Sequence, residues 1–231
     1  MSLDPWAGFA YSTKETLENT KHFTRHVIDS DVPGVLVECG TFHCAQIACM
    51  QRVLLDKGLR RTVYGFDSFE GIPWACEEDA EQPGIGARVL RPHGPDKREL
   101  LKSSKIAVCP LQAAQRNLTR WFPKGGHENI ILVKGWFQDT LRGRVEEIRT
   151  RGGIGLLRLD GDLYESTKVC MEQFFPLIND GGVLIIDDWA LSGCRKAVEE
   201  YFAAAAANVT LVEPPHATFG PTYFFVHRDS K

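Results

Sequence analysis

Residues 155–189 read GLLRLDGDLYESTKVCMEQFFPLINDGGVLIIDDW, and this stretch decides the fold. Two apolar, strand-like runs, Leu156–Leu159 and Val183–Ile186, each stop at acid. The first ends in Asp160-Gly161-Asp162 and the second in Asp187-Asp188. The segment between them, Tyr164 to Ile178, reads as a helix closed by Asn179-Asp180-Gly181-Gly182. A strand–helix–strand unit of this size joins parallel neighbours, so both strands' carboxyl ends fall on one edge of the sheet. Open α/β sheets place their ligands at that edge. Four carboxylates are thereby expected at one binding site. Crowded like charges raise one another's pKa or recruit a cation, so the stretch predicts a metal site.

The alternation of strand and helix extends in both directions. A polar helix from about Thr13 to Ile28, capped by Ser12 or Thr13, precedes a short buried strand, Val35–Glu38, that breaks at Cys39-Gly40. A helix from near His43 to Lys57 leads to a second strand, Thr62–Phe66, ending at Asp67. Cys109–Trp121 reads as a helix, Ile130–Val133 as a strand and Leu141–Thr150 as a charged helix. After the acidic unit come a helix, Ser192–Ala207, and strands at Val209–Val212 and Thr222–Val226. The pattern predicts an α/β fold, a mainly parallel sheet flanked by helices. A single domain over residues 1–231 is expected, with residues 1–30 as an amino-terminal helical cap. From Ser68 to about Ser104 the text turns rich in Gly, Pro and charge, and residues 74–105 read as a lid or insertion. Trp6, Phe9 and Tyr11 form an aromatic segment suited to packing against a second copy of the chain, so a homo-oligomer is left open.

With 231 residues, 43% hydrophobic and 25% charged, the chain has ordinary globular composition and length enough for a full core. A net charge of −3 provides no basic footprint for nucleic acid or an anionic membrane. No apolar run approaches the ~20 residues of a membrane span. The start, Met1 to Trp6, lacks a secretory pattern, and the seven cysteines include no Cys-x-x-Cys pair. Reduced, mostly buried thiols in a cytoplasmic protein are the expectation.

Glu38-Cys-Gly-Thr-Phe42 closes the first strand and opens the next helix, where a glycine lets backbone approach a ligand. It is not a dinucleotide fingerprint, since Gly40 is followed by Thr-Phe-His-Cys-Ala, and neither a Walker loop nor a G-x-S-x-G elbow occurs. Asp67 ends the second strand, where an acid can accept both ribose hydroxyls. Acids after strands one and two fit a nucleoside ligand without a pyrophosphate.

Six motifs then follow in order: Val37-Glu-Cys-Gly40, Phe66-Asp-Ser-Phe-Glu-Gly-Ile-Pro73, Gly135-Trp-Phe-Gln-Asp-Thr-Leu141, Leu159-Asp-Gly-Asp-Leu-Tyr-Glu-Ser-Thr167, Ile186-Asp-Asp-Trp189 and Gly193-Cys-Arg-Lys-Ala-Val198. The chain so resembles the macrocin O-methyltransferase family over roughly residues 14–200. The resemblance implies a Rossmann-like class I methyltransferase with a seven-stranded sheet. It also implies S-adenosylmethionine and Mg²⁺ as cofactors and methyl transfer to a hydroxyl of a sugar or phenolic natural product. By motif position Asp160, Asp187 and Asp188 hold the ion, a hard-oxygen set suited to Mg²⁺, and Asp162 is the general base. Asp162 also reads as a cap for the helix at Tyr164, and Asp188 as a strand-end turn residue. For the cofactor, Glu38 and Gly40, with Thr41 and Phe42 in the same loop, are implied beside the methionine part. Asp67 falls on the ribose with Asp160 adjoining, and Ser68, Gly135, Trp136 and Phe137 surround adenine. Trp136 reads equally as a core aromatic. Cys44 departs from the family, which carries glycine there in a G-x-x-x-G spacing, and this bears on the Thr41–Phe42 loop. His43 is read as a loop side chain and not a metal ligand. Three competing readings are an acceptor carboxylate or amine, a cofactor-binding scaffold without catalysis, and a metal-dependent hydrolase.

Overall fold

A computed structural model describes residues 12–80, 101–218 and 220–228. Their framework is a seven-stranded sheet in the order β3-β2-β1-β4-β5-β7-β6. The strands are β1 (Val35–Cys39), β2 (Val63–Asp67), β3 (Ile130–Lys134), β4 (Ile154–Leu159), β5 (Ile178–Ile186), β6 (Val209–Val212) and β7 (Thr222–Val226). The first five are parallel, and β7 runs antiparallel between β5 and β6. Order reverses between β1 and β4, which opens a crevice at their carboxyl ends.

Register places the functional residues. Cys39 lies opposite Phe66 on one side and Leu159 on the other, and Leu159 lies opposite Ile186. The next residue of each strand or its exit, Gly40, Asp67, Asp160 and Asp187, therefore emerges in one row. Hydrogen bonds of 2.8 Å, donated by the N–H of Gly40 to Phe66 O, of Asp160 to Cys39 O and of Asp187 to Leu159 O, hold that row.

The helices are α1 (Lys14–Asp29), α2 (Ala45–Asp56), α3 (Leu111–Trp121), α4 (Phe137–Thr140), α5 (Val145–Thr150), α6 (Tyr164–Phe174) and α7 (Ser192–Ala205). One core cluster packs Phe23, Val27, Ile47 and Met50 of α1 and α2 on Leu36, Leu156 and Ile185. The opposite face packs Met171, Phe174 and Val198 of α6 and α7 on Val37, Leu157 and Leu184. With both faces covered, the central strands are continuous apolar runs, as parallel sheets require. Every residue of β4 is buried, Arg158 included.

The observed elements differ from the sequence expectation in three places. The charged helix expected over Leu141–Thr150 begins instead as the short α4, passes through a 3-10 turn at Arg142–Arg144, and becomes regular only in α5. The helix expected from Tyr164 to Ile178 stops at Phe174, because Pro176 in the following 3-10 turn has no N–H to continue it. Asn179-Asp180-Gly181-Gly182 does not close a helix; it lies inside β5 as a bulge. The pairing passes from Ile154–Ile178 to Leu156–Val183, and Gly181 adopts φ +71°. Asn179 pins the bulge by donating to Pro33 O (2.9 Å) and Gly152 O (2.8 Å).

Residues 81–100 of the expected insertion, and Trp6, Phe9 and Tyr11, lie outside the described residues. The two ends of the insertion clasp each other. Ile72 N–H bonds Ile106 O (3.0 Å), and Ser104 returns its N–H (2.9 Å) and hydroxyl (2.8 Å) to Ile72 O.

Candidate active site

A cavity of about 440 Å³ opens where β1, β2, β4 and β5 end. Every metal, base and cofactor residue expected from the sequence lines it except Gly135. That glycine lies behind the wall, with its N–H on Asp67 O (2.9 Å) and φ +143°.

The floor is acidic. Oxygens of Asp160, Asp187 and Asp188 all lie within 4.8 Å of one another. Beneath them is a cation that the sequence reading missed. Arg158 is 0% exposed; its guanidinium donates to Glu38 Oε1 (2.8 Å), Asp160 Oδ2 (2.7 Å) and Asp187 Oδ1. It thus ties together the ends of β1, β4 and β5. Its signal in the sequence was a lone charge inside Leu156-Leu157-Arg158-Leu159, and a fully buried arginine needs acidic partners.

One guanidinium does not neutralise this cluster. Burial pushes Glu38 up to about 8 and Asp187 up to about 7, in both cases against the pull of Arg158. Burial, and then the neighbouring Asp162 charge, raises Asp188 well above the carboxylate range. Among the described residues, Arg158 and the Asp162 N–H take one oxygen each from Asp160, Asp187 and Asp188. The other oxygen of each accepts no hydrogen bond from the described residues. Hard oxygen donors, excess negative charge and mutual proximity fit a divalent ion such as Mg²⁺.

Asp162 stands beside this set in the left-handed region at φ 59°, with its N–H on Asp188 Oδ2 (2.8 Å). Its carboxylate accepts no hydrogen bond from the described residues. Burial and the Asp160 charge push it up to about 8. It does not cap α6 at Tyr164. That N–H is bonded at 2.9 Å by Asp79, a fully buried residue from the start of the insertion whose other oxygen accepts from Cys76 N–H (3.1 Å).

The loop after β1 is held by Asp67. Its Oδ2 accepts from the N–H groups of Thr41 (2.8 Å) and Phe42 (2.9 Å), and its Oδ1 from Phe69 N–H (2.6 Å). Ser68 is engaged in its own turn, donating to Gly71 O (2.7 Å). Gly40 is required by packing within the protein, in addition to any ligand. At φ +90°, a Cβ there would fall 1.6 Å from Asp160 O. Cys44 takes the family's glycine position with a glycine-like backbone, φ 67°, and is fully buried as the N-cap of α2. His43 Nδ1 lies 3.3 Å from Cys109 Sγ and 3.2 Å from Asn117 Nδ2, in the loop and not among the acids. Ser12, Gln46 and Ser166, given no site role from the sequence, also line the cavity.

The model of the macrocin-O-methyltransferase family matches residues 3–213. A Streptomyces olivaceus protein, 8-demethyl-8-(2,3-dimethoxy-alpha-L-rhamnosyl)-tetracenomycin-C 4'-O-methyltransferase, is 34% identical over 186 residues, covering 80% of this chain and 64% of that one. Demethyldecarbamoylnovobiocin O-methyltransferase of Streptomyces niveus is 33% identical over 189 residues, covering 81% and 65%. The chain thus spans just under two thirds of the length of these relatives. Among solved structures, the O-methyltransferase NovP superposes with a TM-score of 0.72 at 30% identity, covering 94% of this chain and 81% of that one. The calicheamicin methyltransferase CalS11 shares the fold at a TM-score of 0.71 and 21% identity, covering 96% and 82%. With its family's sequence pattern running through nearly all of its length, and with that family's fold, this chain belongs to the macrocin-O-methyltransferase family.

Proposed function

We propose that the chain is a cytoplasmic, Mg²⁺-dependent S-adenosylmethionine O-methyltransferase that methylates a hydroxyl of a sugar or phenolic natural product. The observation that carries this reading is the trio Asp160, Asp187 and Asp188. Their facing oxygens share a cavity floor with Asp162, one wall away from Glu38 and Asp67. The names of the relatives describe methylation of a tetracenomycin and a novobiocin precursor, which supports a small-molecule acceptor.

Asp160, Asp187 and Asp188 would hold the ion, whose contribution when bound is to lower the pKa of an acceptor hydroxyl placed beside it. S-adenosylmethionine, when bound, supplies an electrophilic methyl group. This chain's own residues do the rest. Arg158 keeps one oxygen of Asp160 and one of Asp187 turned inward, so the outward oxygens stay in a fixed arrangement. Asp162 takes the acceptor's proton onto its free carboxylate as the acceptor oxygen attacks. Burial makes this carboxylate a stronger base than a solvated one, and the cations held beside it would keep it ionised. Asp67 fixes the loop of Thr41 and Phe42, and Glu38 faces the amino-acid end of the donor. The cavity walls, Ile72, Ile106 and Phe137 among them, keep water away from the methyl group.

Calorimetric titration with S-adenosylhomocysteine, with and without Mg²⁺, tests the reading. Binding at a one-to-one ratio is expected, as is methyl transfer to a hydroxyl acceptor that stops in chelator. Absence of binding refutes the cofactor, and transfer that survives chelation shifts the acceptor to a carboxylate or amine.

A further inference from the structure

The two residues that follow Asp162 are both held by the insertion. Leu163, 2% exposed, packs on the fully buried Ala75 in a small core cluster of its own, with Ile72, Trp74 and Ile106 against the pair. This cluster is separate from the two cores that cover the sheet. Tyr164 comes next, and Asp79 accepts its N–H at 2.9 Å. Asp79 is itself fixed within the near arm of the insertion. Its other oxygen accepts from the N–H (3.1 Å) and the thiol (3.2 Å) of Cys76, across the 3-10 turn Glu77–Asp79. Leu163, the N-cap residue of α6, makes no side-chain cap bond. The first turn of α6 therefore takes its cap from the insertion.

The left-handed backbone of Asp162 makes these contacts matter, because a non-glycine residue stays in that region only where its surroundings impose it. On one side Asp188 accepts the Asp162 N–H at 2.8 Å. A tight turn follows, with Leu163 N–H on Gly161 O at 2.6 Å. On the other side the holds are Ala75 and Asp79. Ile72 and Ile106 extend the link, since they pack on the Ala75–Leu163 pair and also line the cavity. We infer that Ala75 and Asp79 are positioning residues for Asp162: by gripping Leu163 and Tyr164 they hold the left-handed turn that presents its carboxylate to the cavity. The near arm of the insertion thus sets the placement of the base as well as a stretch of the cavity wall. The inference rests on Asp162 as the base proposed above.

Amide hydrogen exchange on the full chain, followed by NMR, tests this with Asp79→Ala and Asp79→Asn. The reporters are the N–H groups of Asp162 and Leu163, inside the turn, against that of Cys170, buried farther along α6. A cap bond is worth about fivefold or more in a local opening equilibrium. In Asp79→Ala the two turn amides should therefore exchange at least about fivefold faster, while Cys170 stays within about twofold. Asp79→Asn keeps an oxygen for Tyr164 and loses the one for Cys76, so a smaller gain of about twofold to threefold is expected, on the same scale of cap strength. Faster exchange at Asp162, Leu163 and Cys170 alike makes Asp79 a residue of general stability and overturns the inference. Unchanged exchange at Asp162 and Leu163 makes it a helix cap with no hold on the turn, which also overturns it. If Asp79→Ala fails to fold, Asp79→Asn carries the test alone, and turn amides that match the parent refute the inference. Asp162→Asn separates this inference from the reading beneath it. Parent-like turnover in that variant removes the base, and the positioning role with it, whatever the exchange rates of the Asp79 variants.

Discussion

Replacing Arg158 by Met removes the only cation bonded to the acidic floor among the described residues. Glu38, 1% exposed, is left as a buried carboxylate with no partner on either oxygen. Asp160 and Asp187 keep 30% and 21% of their side chains in contact with water, so they lose less. Breaking a buried pair by removing one partner costs about 3–5 kcal/mol, and the single fully buried partner sets the scale here. A loss of about 4 kcal/mol follows, or a fall in melting temperature of roughly 8–16 °C for a domain of this size. Urea unfolding at pH 7.5 in chelator measures it. The double variant Arg158→Met/Glu38→Gln removes the orphaned acid, whose forced protonation at pH 7.5 costs stability, along with the cation, so it should recover at least about 2 kcal/mol relative to additivity. Mg²⁺ should shrink the loss further by compensating Asp160 and Asp187. A single variant within about 1 kcal/mol of the parent, or additive effects in the cycle, refutes the view of Arg158 as the counter-ion of the site.

Other outcomes follow from the same geometry. Asp162→Asn suits the left-handed backbone at φ 59°, so stability and S-adenosylhomocysteine affinity should be kept while turnover falls by about 10²–10⁴; parent-like turnover removes Asp162 as the base. Cys44→Gly should be more stable than Cys44→Ala by about 1 kcal/mol, the reverse of the usual helix order, because position 44 is left-handed and both variants lose the same buried thiol; the usual order in chemical denaturation would deny that strain. Glu38 and Asp162 at about 8 and Asp187 at about 7 are all raised mainly by burial. The folded state therefore holds protons that the unfolded chain has released above about pH 4, so the stability tied to them falls progressively from about pH 4 and levels off above about pH 8. The melting temperature in chelator should fall from pH 6 to 8.5, and saturating Mg²⁺ should flatten that fall; a flat profile in chelator contradicts the crowded-acid picture.

The row of acids was legible because it is local: a buried strand must end, and here each end is marked by a carboxylate. The outer strands Val209–Val212 and Thr222–Val226 were legible for the same reason, as short apolar runs between turn residues. Arg158 was not, since inside LLRL it reads as an interruption, and its partner Glu38 lies 120 residues away. Capping of α6 by Asp79 reaches across 85 residues, so local capping rules could offer only Asp162 as a cap, beside its implied role as base. Asn179–Gly182 was misread because the residues that suit turns also suit bulges, and only pairing with β4 tells them apart. Asp67 was expected on a ribose; its bonds to the Thr41 and Phe42 amides were invisible until β1 and β2 were neighbours.

The clasp between Ile72 and Ser104–Ile106 has an evolutionary meaning. A segment whose two ends are bonded to each other can be exchanged for another with little effect on the rest of the domain, because doubling a loop's length costs only about 0.6 kcal/mol. Among the described residues, those that bond the acids at the strand ends lie outside that neck, while Asp79 at its base caps α6. A change of sequence between the two bonded ends therefore leaves the described row of acids at the strand ends undisturbed.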